Sequence, residues 1–328
     1  MINKSYLANS VTTQLSRDIQ SIRERIDRTS SEAVTGRTAD PTAHLSGQIG
    51  RAMIANDALN KIDRDSSLLQ IRESRLDITQ QSLSRMQEGL AEISVRALDS
   101  LSAGSPVERT ALAQDARAQL DSALMALNSR HGERFLFSGD ATDKAAFGSP
   151  DDLMEDLRAI ADAATDKTDF DARLNAYFDL DTGDFANSFY RGSKTNSDGD
   201  AITGLDPAIT QTLRNLGVLA MAAPGDGLDN LSNTETLDVI RSSADRLVQA
   251  DAALTQLRAA NGILQERVAT GLDSLAKEKL VVNTLLEGMT SRDQYEAAAE
   301  LKALEASLEA SYMLTARLSQ LSLMNFLR

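Results

Sequence analysis

Aliphatic residues return every seven positions in two tracts near opposite ends of this chain, and that spacing restricts the fold more than any other feature. Ile62, Leu69, Leu76, Leu83, Leu90 and Ala97 make the first tract; Leu247, Leu254, Asn261, Val268, Leu275 and Val282 make the second. A seven-residue apolar repeat gives a helix a narrow stripe that is buried by a partner helix rather than by a broad core. The companion positions of the first tract hold Thr79, Met86, Ile93 and Ser100, but Asp65 and Arg72 near its start. The seam is therefore complete from Leu76 onward and half-made before it. In the second tract the companions are Ala250, Leu257, Leu264, Gly271, Glu278 and Leu285. A helix from about Ala52 to Leu101 would reach roughly 75 Å at 1.5 Å per residue, which predicts a rod. The expected fold is mainly α: a long antiparallel helical rod or coiled-coil bundle built by N- and C-terminal arms, with a small inserted α+β domain. Asn261 either fixes register in the seam or is tolerated at a surface.

The two ends share a second pattern. Leu7, Val11, Leu15, Ile19, Ile22 and Ile26 step by three and four along one helical face, and the final helix carries Leu301, Leu304, Leu308, Tyr312, Leu314, Leu318 and Leu321. The chain closes on Leu321, Leu323, Met324, Phe326 and Leu327. Ends usually fray and carry polar residues, so these ends predict a surface that another subunit covers.

Punctuation divides the chain. Gly36 reads as a C-terminal cap, and Asp40-Pro41 as an N-cap with Pro at the first helical position. Ser105-Pro106 with Glu108 restarts a helix that can fold back antiparallel on the one before it, and Ser149-Pro150-Asp151-Asp152 starts another. Arg134 to Asp140 reads as a strand or hairpin, and Phe170 to Leu205 as a mixture of aromatic residues and Asp/Gly turns. Asp206-Pro207 opens a helix. Ser232 with Glu235 gives a capping box, Gly288 stops that helix, and Ser291 with Gln294 caps the last. The expected domains are an N-terminal arm over 1–139, an inserted outer domain over 140–227 and a C-terminal arm over 228–328.

Nine of the thirteen Phe and Tyr residues fall between Phe135 and Tyr190, and the chain has no Trp. Of the net charge of −14, a net −10 falls between Asp140 and Asp206, from 16 acidic and 6 basic residues. Such a chain is unsuited to nucleic acid, which needs clustered Lys and Arg; the acidic middle reads as a solvated surface. There is no Cys, which excludes disulfides and thiolate chemistry. No run of about 18 apolar residues predicts a membrane span, and Met1 to Gln20 lacks the pattern of a cleaved signal peptide.

Catalytic and metal chemistry find little support. His44 and His131 stand outside any metal-ligand spacing. Asp179-x-Asp181-x-Gly183-Asp184 and Asn196-x-Asp198-Gly199-Asp200 are the best oxygen clusters. Counted from Asn196, however, an EF-hand would need Gly where Ala201 stands and Glu where Pro207 stands. Turn chemistry accounts for both runs. The reading is of no enzyme, no cofactor and no metal.

Three motifs carry a resemblance. Glu32-Ala33-Val34-Thr35-Gly36-Arg37 followed by Asp40-Pro41 resembles the segment of the bacterial flagellin superfamily that reads Leu-Ser-Ser-Gly-Lys-Arg and ends in Asp-Asp-Pro, with Val-Thr for Ser-Ser and one Asp for two. Phe135-Leu136-Phe137-Ser138-Gly139 is similar to the Tyr-Leu-Phe-Ser-Gly run of its hook–filament junction branch. Leu321-Ser322-Leu323-Met324-Asn325-Phe326-Leu327 is similar to its Leu-Ser-Leu-Leu-Asn-Tyr-Leu ending. The resemblance covers both arms and leaves the middle unmatched; the opening Met1-Ile2-Asn3-Lys4-Ser5 departs from the commonest start of either branch. It implies an extracellular structural subunit of the bacterial flagellum, exported through the flagellar type III channel without a cleaved signal. A cytoplasmic chaperone would cover its C-terminal helix beforehand. It further implies a homo-oligomeric ring or tube built by pairing terminal helices that stay unpaired until neighbours bury them, in contact with other axial proteins (hook-associated protein, flagellin). A short filament flagellin and a cytoplasmic coiled-coil signalling or scaffold protein are the competing readings.

Overall fold

The computed structural model describes residues 3–40, 45, 49–103, 105–197 and 201–326, and within these the side chains of 3–12, 103 and 318–326 are left aside. The described chain is mainly helical: α1 Asn3–Thr35, α2 Ile49–Gln87, α3 Leu90–Ala103, α4 Pro106–Leu127, α5 Pro150–Asp162, α6 Lys167–Tyr177, α7 Pro207–Ala220, α8 Asn233–Thr290 and α9 Gln294–Phe326. A hairpin of β1 Arg130–His131 on β2 Arg134–Phe135 and a π turn at Phe185–Phe189 complete it. The expected mainly-α architecture is what the chain adopts, and strand structure among the described residues is confined to that hairpin and two isolated bridges. The strand expected from Arg134 to Asp140 therefore stops at Phe135. The chain divides into two compact units, Met1–Ser66 with Ser274–Arg328, and Ser67–Asp273.

In the unit Ser67–Asp273 the heptads are buried as predicted. Leu76, Leu83, Leu90 and Ala97 are covered together with Thr79, Met86, Ile93 and Ser100, and Leu247, Leu254, Asn261 and Val268 face inward from α8. Side-chain bonds set α2 and α8 antiparallel. Gln87 Nε2 donates to Asp251 Oδ1 at 2.7 Å, Arg258 donates to Gln87 Oε1 at 2.7 Å, and Gln265 Nε2 donates to Asp77 Oδ1 at 2.7 Å. Asn261, only 1% exposed, donates from Nδ2 to the Leu76 carbonyl and to Gln80 Oε1, each at 3.0 Å. It is a buried polar pin of the register rather than a surface residue.

The single helix expected from Ala52 to Leu101 is instead two helices, α2 and α3, meeting at Glu88-Gly89, with Gly89 at φ +84°. The terminal carbonyls of α2 are satisfied from another helix: Gln119 Nε2 of α4 donates to Met86 O at 3.1 Å and to Arg85 O at 3.4 Å. Leu83 and Leu90 are both fully buried, so the aliphatic repeat continues across the break.

Around this seam lies one hydrophobic core shared by α3, α4 and the middle of the chain. Helix α7 is enclosed on nearly every side, from Ala208 to Ala220, with Thr210, Thr212, Arg214 and Asn215 buried beside its apolar residues. Gly217 lets it approach α5 closely, since a Cβ there would overlap Leu157. The aromatic residues concentrate here: Phe147, Phe178, Phe185, Phe189 and Tyr190 pack in tilted and edge-on pairs with centroids 4.7 to 5.9 Å apart. Ser149 and Asp152 form a reciprocal capping box on α5, and Ser232 and Glu235 form the same at α8. Ser105, expected to cap α4, makes no side-chain cap bond there.

Candidate assembly surfaces

The unit formed by 1–66 and 274–328 is built on the pairing of α1 with α9. On α1, Leu15, Ile19, Ile22 and Ile26 are half-buried and Thr29 is buried; on α9, Ala297 and Leu304 are buried and Leu301 and Leu308 half-buried. The helices run antiparallel, as polar contacts along their length show. Arg23 donates to the Tyr312 hydroxyl at 2.9 Å and lies 5.6 Å from its ring centroid, and Arg25 meets Glu300 at 3.1 Å. Arg292 meets Glu300 at 2.9 Å and Glu32 at 3.7 Å. The terminal helices expected to be unpaired in a lone subunit are therefore paired with each other within one chain.

Tyr312 and Leu314, expected on the same stripe as Leu308, point away from it, 41% and 52% exposed. The step from Leu308 continues through half-buried Ser311 and Thr315. Tyr312 covers Arg23 from the flank. The backbone of Leu318, Leu321, Met324 and Phe326 is helical, and that of Leu7 and Val11 as well. Their side chains, together with Pro41 and Leu327, lie outside the described residues.

At one end of the pair a clasp joins the turn after α1 to the turn between α8 and α9. Gly36 takes φ +66° and its N–H donates to Glu32 O at 2.9 Å, the expected C-terminal cap. Its own carbonyl then accepts from Arg292 N at 2.9 Å, Thr38 N donates to Thr290 O at 3.0 Å, and Arg37 pairs with Ser291 as an isolated bridge. Arg37 reaches Glu287 at 3.4 Å, and Gln294 Nε2 donates to the Val34 carbonyl at 3.3 Å. Helix α8 runs past Gly288 to Thr290, so Gly288 is not its stop. The cap of α9 is Asp293, whose Oδ1 accepts from Tyr295 N at 2.8 Å and Glu296 N at 3.2 Å, in place of Ser291 with Gln294. Asp40 is exposed.

The same unit carries apolar side chains that nothing described covers. Met53 (62%) and Ile54 (70%) of α2 and Leu280 (68%) and Val281 (67%) of α8 are exposed, as are Leu285, Met313 and Leu314. Leu285 and Glu278, expected as seam companions, both face solvent. The heptad reading missed Met53, Ile54, Leu280 and Val281 because they fall between seam positions. Their signal was the excess of aliphatic residues over what one stripe needs.

The second expected motif is internal. Phe135 lies under Arg130 at 5.1 Å, Leu136 is half-buried, and Phe137, Ser138 and Gly139 are buried. Ser138 Oγ donates to Lys144 O at 2.6 Å, Gly204 N donates to Phe137 O at 2.8 Å, and Ser193 N donates to Ser138 O at 2.9 Å. Tyr190 reaches the Phe137 carbonyl at 3.1 Å, and burial pushes its phenol up to about 12. This segment organises the middle of the chain through Phe137, Ser138 and Gly139, with Phe135 and Leu136 half-buried.

The oxygen cluster at Asp179 resolves as a turn, whereas Asp198, Gly199 and Asp200 of the second cluster lie outside the described residues. Asp179 Oδ1 accepts from Asp181 N, Thr182 N and Thr182 Oγ1 at 2.7 to 3.1 Å, bonds that hold its carboxyl below the usual range. Lys194 Nζ occupies the carbonyls of Leu180 and Asp181. Among the described residues no group of three or more His, Cys, Asp or Glu could hold a metal, and no helix is long and apolar enough to cross a membrane.

With this geometry the comparisons are informative at one end of the chain. Residues 245–327 match the family model for the bacterial flagellin C-terminal helical region, which takes in most of α8 and all of α9. The chain therefore carries a flagellin-type C-terminal region, and the resemblance read from its motifs is borne out there. A solved structure of a candidate flagellar hook-associated protein from Vibrio parahaemolyticus is similar at 16% identity and a TM-score of 0.45, over 76% of this chain and 98% of that one; nothing is inferred from it. A comparison with curated proteins gives no match.

Proposed function

We propose that this chain is a subunit joining flagellar hook to filament, assembling through the α1–α9 pair and the exposed apolar residues of the same unit. The observation that carries the reading is a terminal pair with a half-buried seam, closed by the Gly36–Arg292 clasp, in a unit that also holds uncovered Met53, Ile54, Leu280 and Val281. Two helices bury little, and most helical stability comes from packing an apolar face against further elements. Neighbouring subunits in a ring or tube supply that packing, so the interface set is Leu7, Val11, Leu15, Ile19, Ile22, Ile26, Leu301, Leu304, Leu308, Leu318 and the residues up to Leu327. The segment 140–227 then faces outward between the arms 1–139 and 228–328. Export is by the flagellar type III route, with a chaperone on the C-terminal helix, to an extracellular position between other axial proteins.

The Phe135–Gly139 run and the Asn325-Phe326-Leu327 ending favour a junction subunit over a short filament flagellin. Polymerisation of the purified chain decides between them: closed rings or short caps on hook ends are expected, and extended filaments formed by the chain alone would overturn the junction reading. A cytoplasmic scaffold would instead be an ordered dimer whose terminal segments resist protease.

A further inference from the structure

The unit Ser67–Asp273 contains a cavity of about 40 Å³ where α2, α8, β2 and the chain at 201–202 meet. Its walls include Leu136 and Ile202, but three arginines line it as well: Arg72, Arg75 and Arg134. In a chain of net charge −14 this is a local concentration of the scarcer sign. Arg72 and Arg134 hold interactions of their own. The carboxylate set electrostatically against Arg134 is Asp140, and its oxygens are taken by Thr195 Oγ1 at 2.7 Å and by Ser197 N at 2.7 Å. Arg75 differs. It makes no hydrogen bond or ion pair with a described residue, and its Nε is sealed from solvent without an acceptor. A polar group that has given up water without a partner is costly, and Arg75, half-buried with its Nε so placed, lines the cavity.

The size of the cavity selects the ligand class. A water-sized group needs about 10–15 Å³ of such space, so about three heavy atoms fit, the number in a carboxylate head. Guanidinium and carboxylate also match as planar, two-bonded pairs. We propose that this cavity binds a carboxylate, paired by Arg75 in a wall that Arg72 and Arg134 also line. Asn261, pinned to Leu76 and Gln80 in the cavity wall, keeps α8 in the register that brings the walls together. The carboxylate comes either from a small free acid or from an acidic side chain of a second copy. The site is independent of the proposed junction role.

Formate is the probe, titrated into the full chain at constant ionic strength with chloride as the balancing ion, and followed by melting temperature and heat of binding. Wild type should show a saturable response to formate. Arg75→Met should weaken it at least tenfold, and Arg75→Lys, a point charge without the planar fork, should fall between. Circular dichroism checks that each variant folds. If Arg75→Met fails to fold, Arg75→Lys carries the test, and affinity equal to wild type overturns the site. Formate acting no differently from chloride, or binding Arg75→Met as well as wild type, also overturns it. Without formate, a melting temperature that rises with protein concentration, and stops rising when formate is added, assigns the carboxylate to a second copy. Formate binding with no such concentration dependence assigns it to a free acid.

Discussion

Substituting Gly139 by Ala tests whether the Phe-Leu-Phe-Ser-Gly segment is a structural knot. Gly139 sits at φ +60°, and a Cβ there would stand 2.5 Å from Ser193 O and 2.7 Å from Thr195 O. Gly132, in the neighbouring hairpin, has almost the same φ of +61° but nothing within 4 Å of its Cβ position. The left-handed conformation costs an L-residue about 1–2 kcal/mol, and this applies to both. Overpacking adds about 1–3 kcal/mol at Gly139 alone, because the two carbonyls are held by Tyr190 Oη at 3.2 Å and Asp140 N at 3.1 Å and cannot simply turn aside. Gly139→Ala should therefore lose about 2–5 kcal/mol and Gly132→Ala about 1–2 kcal/mol. For a unit of this size about 1 kcal/mol moves the melting temperature by roughly 2–4 °C. Urea unfolding followed by circular dichroism should show a lower midpoint at unchanged slope for both variants. Equal losses in the two would refute the argument, since only the conformational cost would then be real.

Leu304, 6% exposed in the α1–α9 seam, should not tolerate charge: Leu304→Asp is expected to open α1 to protease and abolish assembly while near-ultraviolet dichroism of the aromatic middle stays unchanged. Retained polymerisation would remove the seam from the interface. Asp206 caps α7 through its bond from Ala208 N at 2.9 Å, yet burial raises its carboxyl above the usual range. Its charge thus costs stability at neutral pH, and the cost fades as pH falls through that raised value. Asp206→Asn keeps a capping oxygen, so it should raise the melting temperature at pH 7 and lose that advantage near pH 3. Asp140, Asp152, Asp169, Asp179 and Glu235 have the opposite sign: hydrogen bonds hold them below the usual carboxylate range. Their contribution is complete above the ordinary carboxylate values and is lost as pH falls through their own lower ones. An acid titration of the wild type should show the main loss of stability below about pH 4, and a loss centred near neutrality would contradict it.

What could be read from the sequence was what neighbours in sequence decide. Gly36, the Ser149–Asp152 box and the Ser232–Glu235 box are closed by residues three or four positions away, and each stands where its motif placed it. The break at Gly89 could not be read. The heptad runs through it, and the donor that completes α2 is Gln119, a residue of α4. Asp293 displaced Ser291 at the start of α9 because the Ser291 backbone is taken up by the bridge to Arg37. The assembly residues were half legible: spacing identified Leu301, Leu304 and Leu308, but the apolar residues left over after the seam was filled were visible only once burial was known.

The two units differ in how much core each has, and that difference has a kinetic consequence. Among the described residues the buried apolar side chains of the first unit are Leu45, Ala52, Ala55, Ile62, Ala297 and Leu304, three of them Ala, while the second unit holds the continuous core from Leu83 to Leu254. Local opening follows apolar burial, so the amides of α1 and α9 should open at a small fraction of the free energy needed for α7. The clasp limits where opening begins. Gly36 O, Thr290 O and Val34 O are all bonded across it, so fraying should start from the ends of α1 and α9 far from the clasp and stop near residues 30–38 and 290–297. Hydrogen exchange of the isolated subunit measures this directly: fast exchange in the distal halves, intermediate at the clasp and slow in α7. In the assembled state the distal halves should become protected by orders of magnitude, because neighbouring subunits supply the burial that one chain lacks. Distal amides that exchange as slowly as those of α7 before assembly would show the terminal pair to be complete on its own, and would remove the physical reason for it to polymerise.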